Sequence, residues 1–390
     1  MSLITVVIPT RNRPEHLRLA LQSLVNQTCT DFSVVIADNS TDGRSHVVSG
    51  EFSNKLTLKY LAAGGALSMV ENWNLGIPHS NGEYVGIMID KTVWNPYAVE
   101  VIRNVHDHFG PVDTISWAHD YFLPNSESSS AGHMMPRLVE RRYAKEVSLR
   151  SEFESRRQFS KARSAQNAHE YCLGKVCFGA YSTKLIQRII STYSLLFHPI
   201  TPDYSSMSLA SICSSRSIQL GIPLQISRIS KESNGTMAED DPEHALQYLR
   251  SVDPSLCVLE RLPIPGVFQS IENLVAHDML QFDDTTELPS PNIRNLTTLV
   301  LAELKAKRRM LPAKAGGEVR RELQLTSAKW SLAVHISWRF VAIMRRKLFG
   351  VHAIRLLAGL SPRYRSTRFE TIFAALDAQS KLNQSWKTFP

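Results

Sequence analysis

The chain lacks any run of about 18 uncharged apolar residues, so a membrane-spanning helix is not expected. Cysteine is scarce: Cys29, Cys172, Cys177, Cys213 and Cys257 form an odd, scattered set in 390 residues. Such a set reads as reduced thiols rather than a disulfide framework. Cys172 and Cys177 lie close together, but no second Cys or His pair completes a zinc site around them. Neither GxGxxG nor GxxxxGKS/T occurs, which excludes the usual signatures of dinucleotide binding and of a P-loop. The histidines show no metal-ligand pairing, and His106 and His108 fall on different faces of a helix. No internal repeat and no recognised nucleic-acid module is found, so nucleic acid is not an expected partner. The first apolar segment breaks at Pro9, too early for a secretory signal, and lacks a small-residue cleavage site. It reads as a buried strand, and the chain is expected to work in the cytoplasm.

Hydrophobic residues make up 43% of the chain, enough for a sizeable core. The formal net charge of +8 is uneven. Between Thr297 and Ala375 there are 16 Lys and Arg against 4 Asp and Glu, a net +12 that leaves −4 for the remainder. An anionic partner is therefore expected at the C-terminal region.

Apolar runs and helical periods alternate through the first hundred residues. Val6-Val7-Ile8 reads as a strand, and Pro14-Glu15 opens a helix with Leu17, Leu21, Leu24 and Val25 on one face. Strands are expected at Phe32–Ala37, Leu56–Leu61 and Glu83–Ile89, with a short helix over Ser68–Leu75. This is an α/β fold with a mainly parallel, Rossmann-like sheet flanked by helices. Ligands of such sheets gather at the carboxyl ends of the strands, where Asn12, Asp38 and Asp90 stand. Further on, Thr114–Trp117 looks strand-like and Pro124–Gly132 reads as a mobile insertion. Helices follow near Ser182–Tyr193 and Tyr204–Ser214, then a strand at Leu224–Ile229. After Asn295 the pattern is helical and basic to the end. Three regions result: residues 1–240, a connecting helical segment 241–295, and a basic helical region 296–390.

Four stretches carry a family resemblance: Val7-Ile8-Pro9-Thr10-Arg11-Asn12-Arg13, Val35-Ile36-Ala37-Asp38-Asn39-Ser40-Thr41-Asp42, Asn74-Leu75-Gly76-Ile77 and Asn81-Gly82-Glu83-Tyr84-Val85. Their order and spacing resemble the family 2 glycosyltransferases, the inverting GT-A group. The likeness is strong over the first hundred residues, thinner to about residue 235, and absent after that. It implies a GT-A fold, a nucleotide-diphospho-sugar donor, a UDP-sugar first of all, and transfer with inversion to a glycan or lipid-linked acceptor.

A nucleotide sugar needs acceptors for base and ribose and positive charge for its diphosphate. Asp38 can accept from a base N–H or a ribose hydroxyl, the role the resemblance gives it. Pro9, Thr10 and Asn12 would form the floor of that pocket. The plainer readings are a solvated turn for Asp38 and a helix cap for Asn12.

At Asp90 the resemblance implies an Asp-x-Asp cluster holding Mg²⁺ or Mn²⁺, but the sequence is Ile89-Asp90-Lys91-Thr92. Either Asp90 alone ligates the cation, or Lys91 neutralises part of the diphosphate, or Lys91 is a solvated loop residue. Trp73 stands where the family often has Arg, so some electrostatic stabilisation is missing or comes from elsewhere.

Inverting transfer also needs a base for the acceptor hydroxyl. Asp203, at a turn before a small-residue helix, fits the place the resemblance implies, although it is also a natural N-cap. The loop Ser230–Gly235 is expected to close over the diphosphate. No Gln-x-x-Arg-Trp signature of processive synthases occurs; Trp338-Arg339 lacks the Gln, which favours transfer of a single sugar.

The segment Trp330–Met344, followed by Arg345-Arg346-Lys347, suits an interfacial helix on an anionic membrane or a helix packed on the domain. The expectation is an enzyme of bacterial surface polysaccharide synthesis, peripheral on the inner face of the cell membrane. Its rival is a GT-A-fold binding or scaffold protein without activity.

Overall fold

The computed structural model describes residues 2–135, 144–229, 241–282, 288–310 and 367–383. Its strands are β1 (Ile4–Thr10), β2 (Phe32–Asp38), β3 (Leu58–Ala62), β4 (Tyr84–Ile87), β5 (Thr92–Trp94), β6 (Thr114–Pro124), β7 (Gly132–Met135), β8 (Ala144–Val147), β9 (Gly179–Ser182), β10 (Ser217–Arg228) and β11 (Thr367–Phe369). All join one sheet, whose first half runs β3-β2-β1-β4 in parallel. β9 enters antiparallel between β4 and β6, and β10 continues parallel to β6. This mixed, mostly parallel sheet flanked by helices is the α/β arrangement the sequence implies.

Every residue of β1 is buried, as a central parallel strand requires. Alternate side chains serve opposite faces. Ile4, Val6 and Ile8 pack with Leu17 and Leu21 of α1 (Pro14–Val25) and with Val105 further on. Val7 turns the other way, toward Val35, Val85 and Trp73. After α2 (Arg44–Gly50) and α3 (Met69–Leu75), helix α4 (Ala98–Phe109) covers the first face. The second face is covered beyond α5 (Leu149–Arg156) and α6 (Ala168–Cys172) by α7 (Thr183–Tyr193) and α8 (Pro202–Cys213). Gly76 allows α3 to approach the sheet: an added Cβ would stand 2.4 Å from a Val7 methyl.

The connecting segment is helical: α9 (Pro242–Val252), α10 (Val258–Arg261), α11 (Ile271–Leu280) and then α12 (Ile293–Met310). These helices share a core with Phe153 of α5 and Tyr204 and Met207 of α8. They therefore brace α5 and α8.

Three expectations change. Pro124–Gly132 is not a loose insertion but the tip of a β6–β7 hairpin, with Pro124 paired to Gly132 and Leu123 to His133. β6 is eleven residues long because its backbone pairs with β9, β10 and β7 along its length, an environment that polar His119 and Asp120 concealed in the sequence. Nor is the region after Asn295 helical throughout. β11 pairs antiparallel with β7, and α13 (Ile372–Asn383) lays Ile372, Ala375 and Leu376 against Val93, Phe122, Met134 and Ile226. Gln379 completes the seam, donating to Asp120 Oδ2 at 2.8 Å and accepting from Asn95 at 3.2 Å. Trp330–Met344, Arg345-Arg346-Lys347 and the loop Ser230–Gly235 lie outside the described residues. Among those described, no helix is long and apolar enough to cross a membrane.

Leu376 is 2% exposed, so Leu376→Ala should lower unfolding free energy by about 2–4 kcal/mol. Urea denaturation measures this; a loss below about 0.5 kcal/mol would mean the tail is not part of the sheet's core.

Candidate active site

In open parallel sheets, ligand clefts form where strand order reverses. Here that point lies between β1 and β4. Their ladder ends with Val7 opposite Ile87, and Pro9 has no N–H to extend it. The strands part, and the Thr10 hydroxyl donates across the gap to Asp90 Oδ2 at 3.0 Å. Arg13 adds an ion pair to Asp90 Oδ1 at 3.2 Å. Asp90 is 3% exposed, so its charge needs this compensation.

Thr10 is also in register with Asp38 on β2. Asp38 is buried rather than a solvated turn residue. Its Oδ1 accepts from the Ser40 backbone and hydroxyl, and its Oδ2 from the Tyr60 hydroxyl. Burial, and then Asp38 itself, raises the Tyr60 pKa well above that of an ordinary phenol and keeps it a donor. Asn12 adopts φ 55°, a left-handed conformation that asparagine tolerates better than most residues. Its N–H donates to Ser40 Oγ at 2.7 Å, and its side-chain carbonyl accepts from the Thr41 N–H at 2.9 Å. It is not a helix cap, since Arg13 holds that position in α1 without a side-chain bond. Asn12 instead ties the β1 loop to the β2 loop.

Two further residues of this half were not anticipated. Asn72 of α3 is buried, and its amide donates to the carbonyls of Thr10 at 3.3 Å and Ala37 at 3.1 Å, pinning both strand ends. The signal was an asparagine on the inward stripe with Val70 and Trp73. Arg13 was present in the quoted motif, but its pairing with Asp90, 77 residues away, has no local signature. Trp73 belongs to the core: it meets Phe197 edge-on at 5.3 Å.

Lys91 is half-buried. Burial lowers its pKa, nearby Arg13 lowers it further, and Asp90 and Glu127 oppose both effects. Its carbonyl accepts from the Arg228 N–H at 2.9 Å. Arg228 also donates to the backbone carbonyls of Glu127 and Ser129, anchoring the hairpin tip beside this group.

Asp203 is the second residue of α8, not its N-cap, which is Thr201. The preceding turn is held by a buried carboxylate on α11: Asp278 accepts from the N–H groups of Ile200, at 2.8 Å, and Thr201, and from the Thr201 hydroxyl. Asp203 itself lies 3.3 Å from Lys175 Nζ. Lys175 is fully buried, with its ammonium 3.8 Å and 3.6 Å from the ring centres of Tyr171 and Tyr204. Faces of aromatic rings attract a cation, so the slot can hold this charge without water. Asp203 is joined to the β1–β2 edge through α3. Asn74 exchanges two hydrogen bonds with the Phe197 backbone, and the Ser205 hydroxyl bonds the backbone of neighbouring His198.

Hard divalent cations take several oxygen ligands, and more than one carboxylate binds far better than a single one. Asp90 is one carboxylate with both oxygens already accepting hydrogen bonds. Among the described residues, no group of three or more His, Cys, Asp or Glu is arranged to hold a metal ion. These residues do not form a ready-made divalent-cation site.

Residues 5–174 match the family model "Glycosyl transferase family 2". An uncharacterised glycosyltransferase of Rickettsia typhi is 24% identical over 144 residues, 37% of this chain and 43% of that protein. The chain thus spans under half the length of this relative. Chondroitin synthase of Escherichia coli is 33% identical over 101 residues, 25% of this chain and 14% of the synthase. Among solved structures, S. aureus TarS 1–349 in complex with UDP-GlcNAc aligns at a TM-score of 0.47 and 16% identity, over 80% of this chain and 93% of that one.

Replacing Asn72 with Leu keeps volume but strips a hydrogen bond from each of two buried carbonyls. Stability should fall by about 2–3 kcal/mol in chemical denaturation, whereas a change within about 0.5 kcal/mol would show that the strand ends do not depend on it.

Proposed function

We propose, from the match of residues 5–174 to the glycosyl transferase family 2 model, that the chain moves one sugar from a UDP-sugar to a hydroxyl of a glycan or lipid-linked acceptor, with inversion. The observation carrying this reading is the convergence of the β1, β2 and β4 ends on one cleft. There Thr10 joins Asp90, and Asn12 joins the Asp38 loop through Ser40. Asp38 keeps acceptor capacity for a base N–H or ribose hydroxyl, with Pro9, Thr10 and Asn12 as the floor. Lys91 stands at the diphosphate end.

In an inverting step the acceptor oxygen attacks the anomeric carbon, its proton passes to a base, and the bond to the diphosphate oxygen breaks. Asp203 is the base in this reading. It is a partly exposed carboxylate on a turn fixed by Asp278, while Lys175 anchors one of its oxygens.

Asp203→Asn should lower turnover by about 10²–10⁴-fold while UDP still raises the melting temperature. Asp38→Ala should abolish that UDP shift. Wild-type protein that binds UDP but neither transfers nor hydrolyses a UDP-sugar would favour the scaffold reading instead.

Surface polysaccharide synthesis at the inner face of a bacterial membrane fits the charge of residues 297–375, whose net is +12. Changing Arg345, Arg346 and Lys347 to Gln in the full chain should weaken binding to anionic vesicles in co-sedimentation by about a hundredfold at low salt, at about 1 kcal/mol per charge. Unchanged binding would remove the membrane role from this cluster.

A further inference from the structure

We infer that Arg13 and Lys91 do at Asp90 what a divalent cation does at an Asp-x-Asp pair: they neutralise the donor's diphosphate. The inference rests on the glycosyl-transfer reading above and names the groups that meet the leaving group.

Charge is the first argument. Two carboxylates and one divalent cation sum to zero. Asp90 with Arg13 and Lys91 sums to +1, so this cleft offers a diphosphate at least as much positive charge without an added ion. The leaving group gains one negative charge as the bond to the anomeric carbon breaks, and the electron pair stays on its oxygen. Two fixed cations are a suitable counter-charge for that change.

Geometry is the second. Asp90 is almost wholly buried, and its two oxygens accept from Thr10 at 3.0 Å and Arg13 at 3.2 Å. A divalent ion bound there would have to displace Arg13 and then stand beside two like charges. Asp90 is better placed to orient Arg13. A guanidinium held by a carboxylate on one side offers a planar fork of donors that matches phosphate oxygens. The exposure of the two partners agrees: Asp90 is closed off while the Arg13 side chain remains 23% exposed.

Lys91 completes the pair from the other strand end. It follows Asp90 directly, and its backbone is fixed by the Arg228 N–H bond to its carbonyl. That arginine grips the hairpin tip through the carbonyls of Glu127 and Ser129, so the lysine is carried on a braced segment.

The test is calorimetric titration of UDP into the full chain, in EDTA and in Mn²⁺, for wild type, Arg13→Met and Lys91→Met. UMP is the probe lacking the second phosphate, and thermal melts check that each variant folds. Wild type should bind UDP within about threefold in the two media. Each variant should lose about tenfold or more for UDP in EDTA, and less for UMP, the scale of one charge-assisted contact to phosphate. Manganese resonance should show no ion retained by protein and UDP beyond what UDP alone chelates. A loss above about tenfold for wild type on chelation would overturn the inference, as would variants that bind UDP like wild type. The wild-type comparison stands even if a variant misfolds. Absence of any UDP binding to wild type, in either medium, would instead bring down the glycosyl-transfer reading and this inference with it.

Discussion

Everything in the cleft follows from the place where β1 and β4 stop pairing. Hydrogen bonding holds the two strands together up to Val7 and Ile87, and the imino nitrogen of Pro9 cannot carry the ladder further. Beyond that point side-chain bonds take over from the ladder, and they define the site. Thr10 reaches Asp90, Arg13 reaches the same carboxylate, and Asn72 takes up the Thr10 and Ala37 carbonyls. A geometric necessity of the sheet thus becomes a cluster of oriented charges.

The two halves of the chemistry are held differently. In the proposed site, the half built on Asp38 and Asp90 rests on strand ends, and both faces of the sheet behind them are packed. The half containing Asp203 rests on a turn, and a turn needs outside support. It comes from Asp278 on a helix of the connecting segment and from Lys175, walled in by two aromatic rings. α3 ties the halves together, since Asn72 grips the strand ends and Asn74 grips the chain just before α8. A shift of that helix would be felt in both halves of the proposed site.

The sequence was legible where structure is periodic or local. β1, α1 and the short helix α3 follow from apolar spacing and Pro14, and the placement of Asp38 and Asp90 at strand ends follows with them. What escaped was set by distance along the chain. The Arg13–Asp90 pair spans 77 residues, the Ile200–Asp278 bond 78, and the Gln379–Asp120 bond 259. Each joins polar residues whose neighbours are unremarkable in composition. β6 outruns the strand-like Thr114–Trp117 for a related reason: His119 and Asp120 are polar, and only partners on α6 and α13 make a strand of them.

The seam at Gln379 also bears on how the protein comes into being. Asn95, Asp120 and Gln225 line a polar slot in the first 230 residues, and the side chain that fills it is encoded about 150 codons later. A ribosome making this chain releases the sheet long before the piece that seals its edge. During that interval β7 presents an unpaired edge and β5 and β10 an uncovered apolar face, both open to strangers. Nascent chains should therefore draw on chaperones late in synthesis, and a chain truncated near residue 240 would keep the exposed edge permanently.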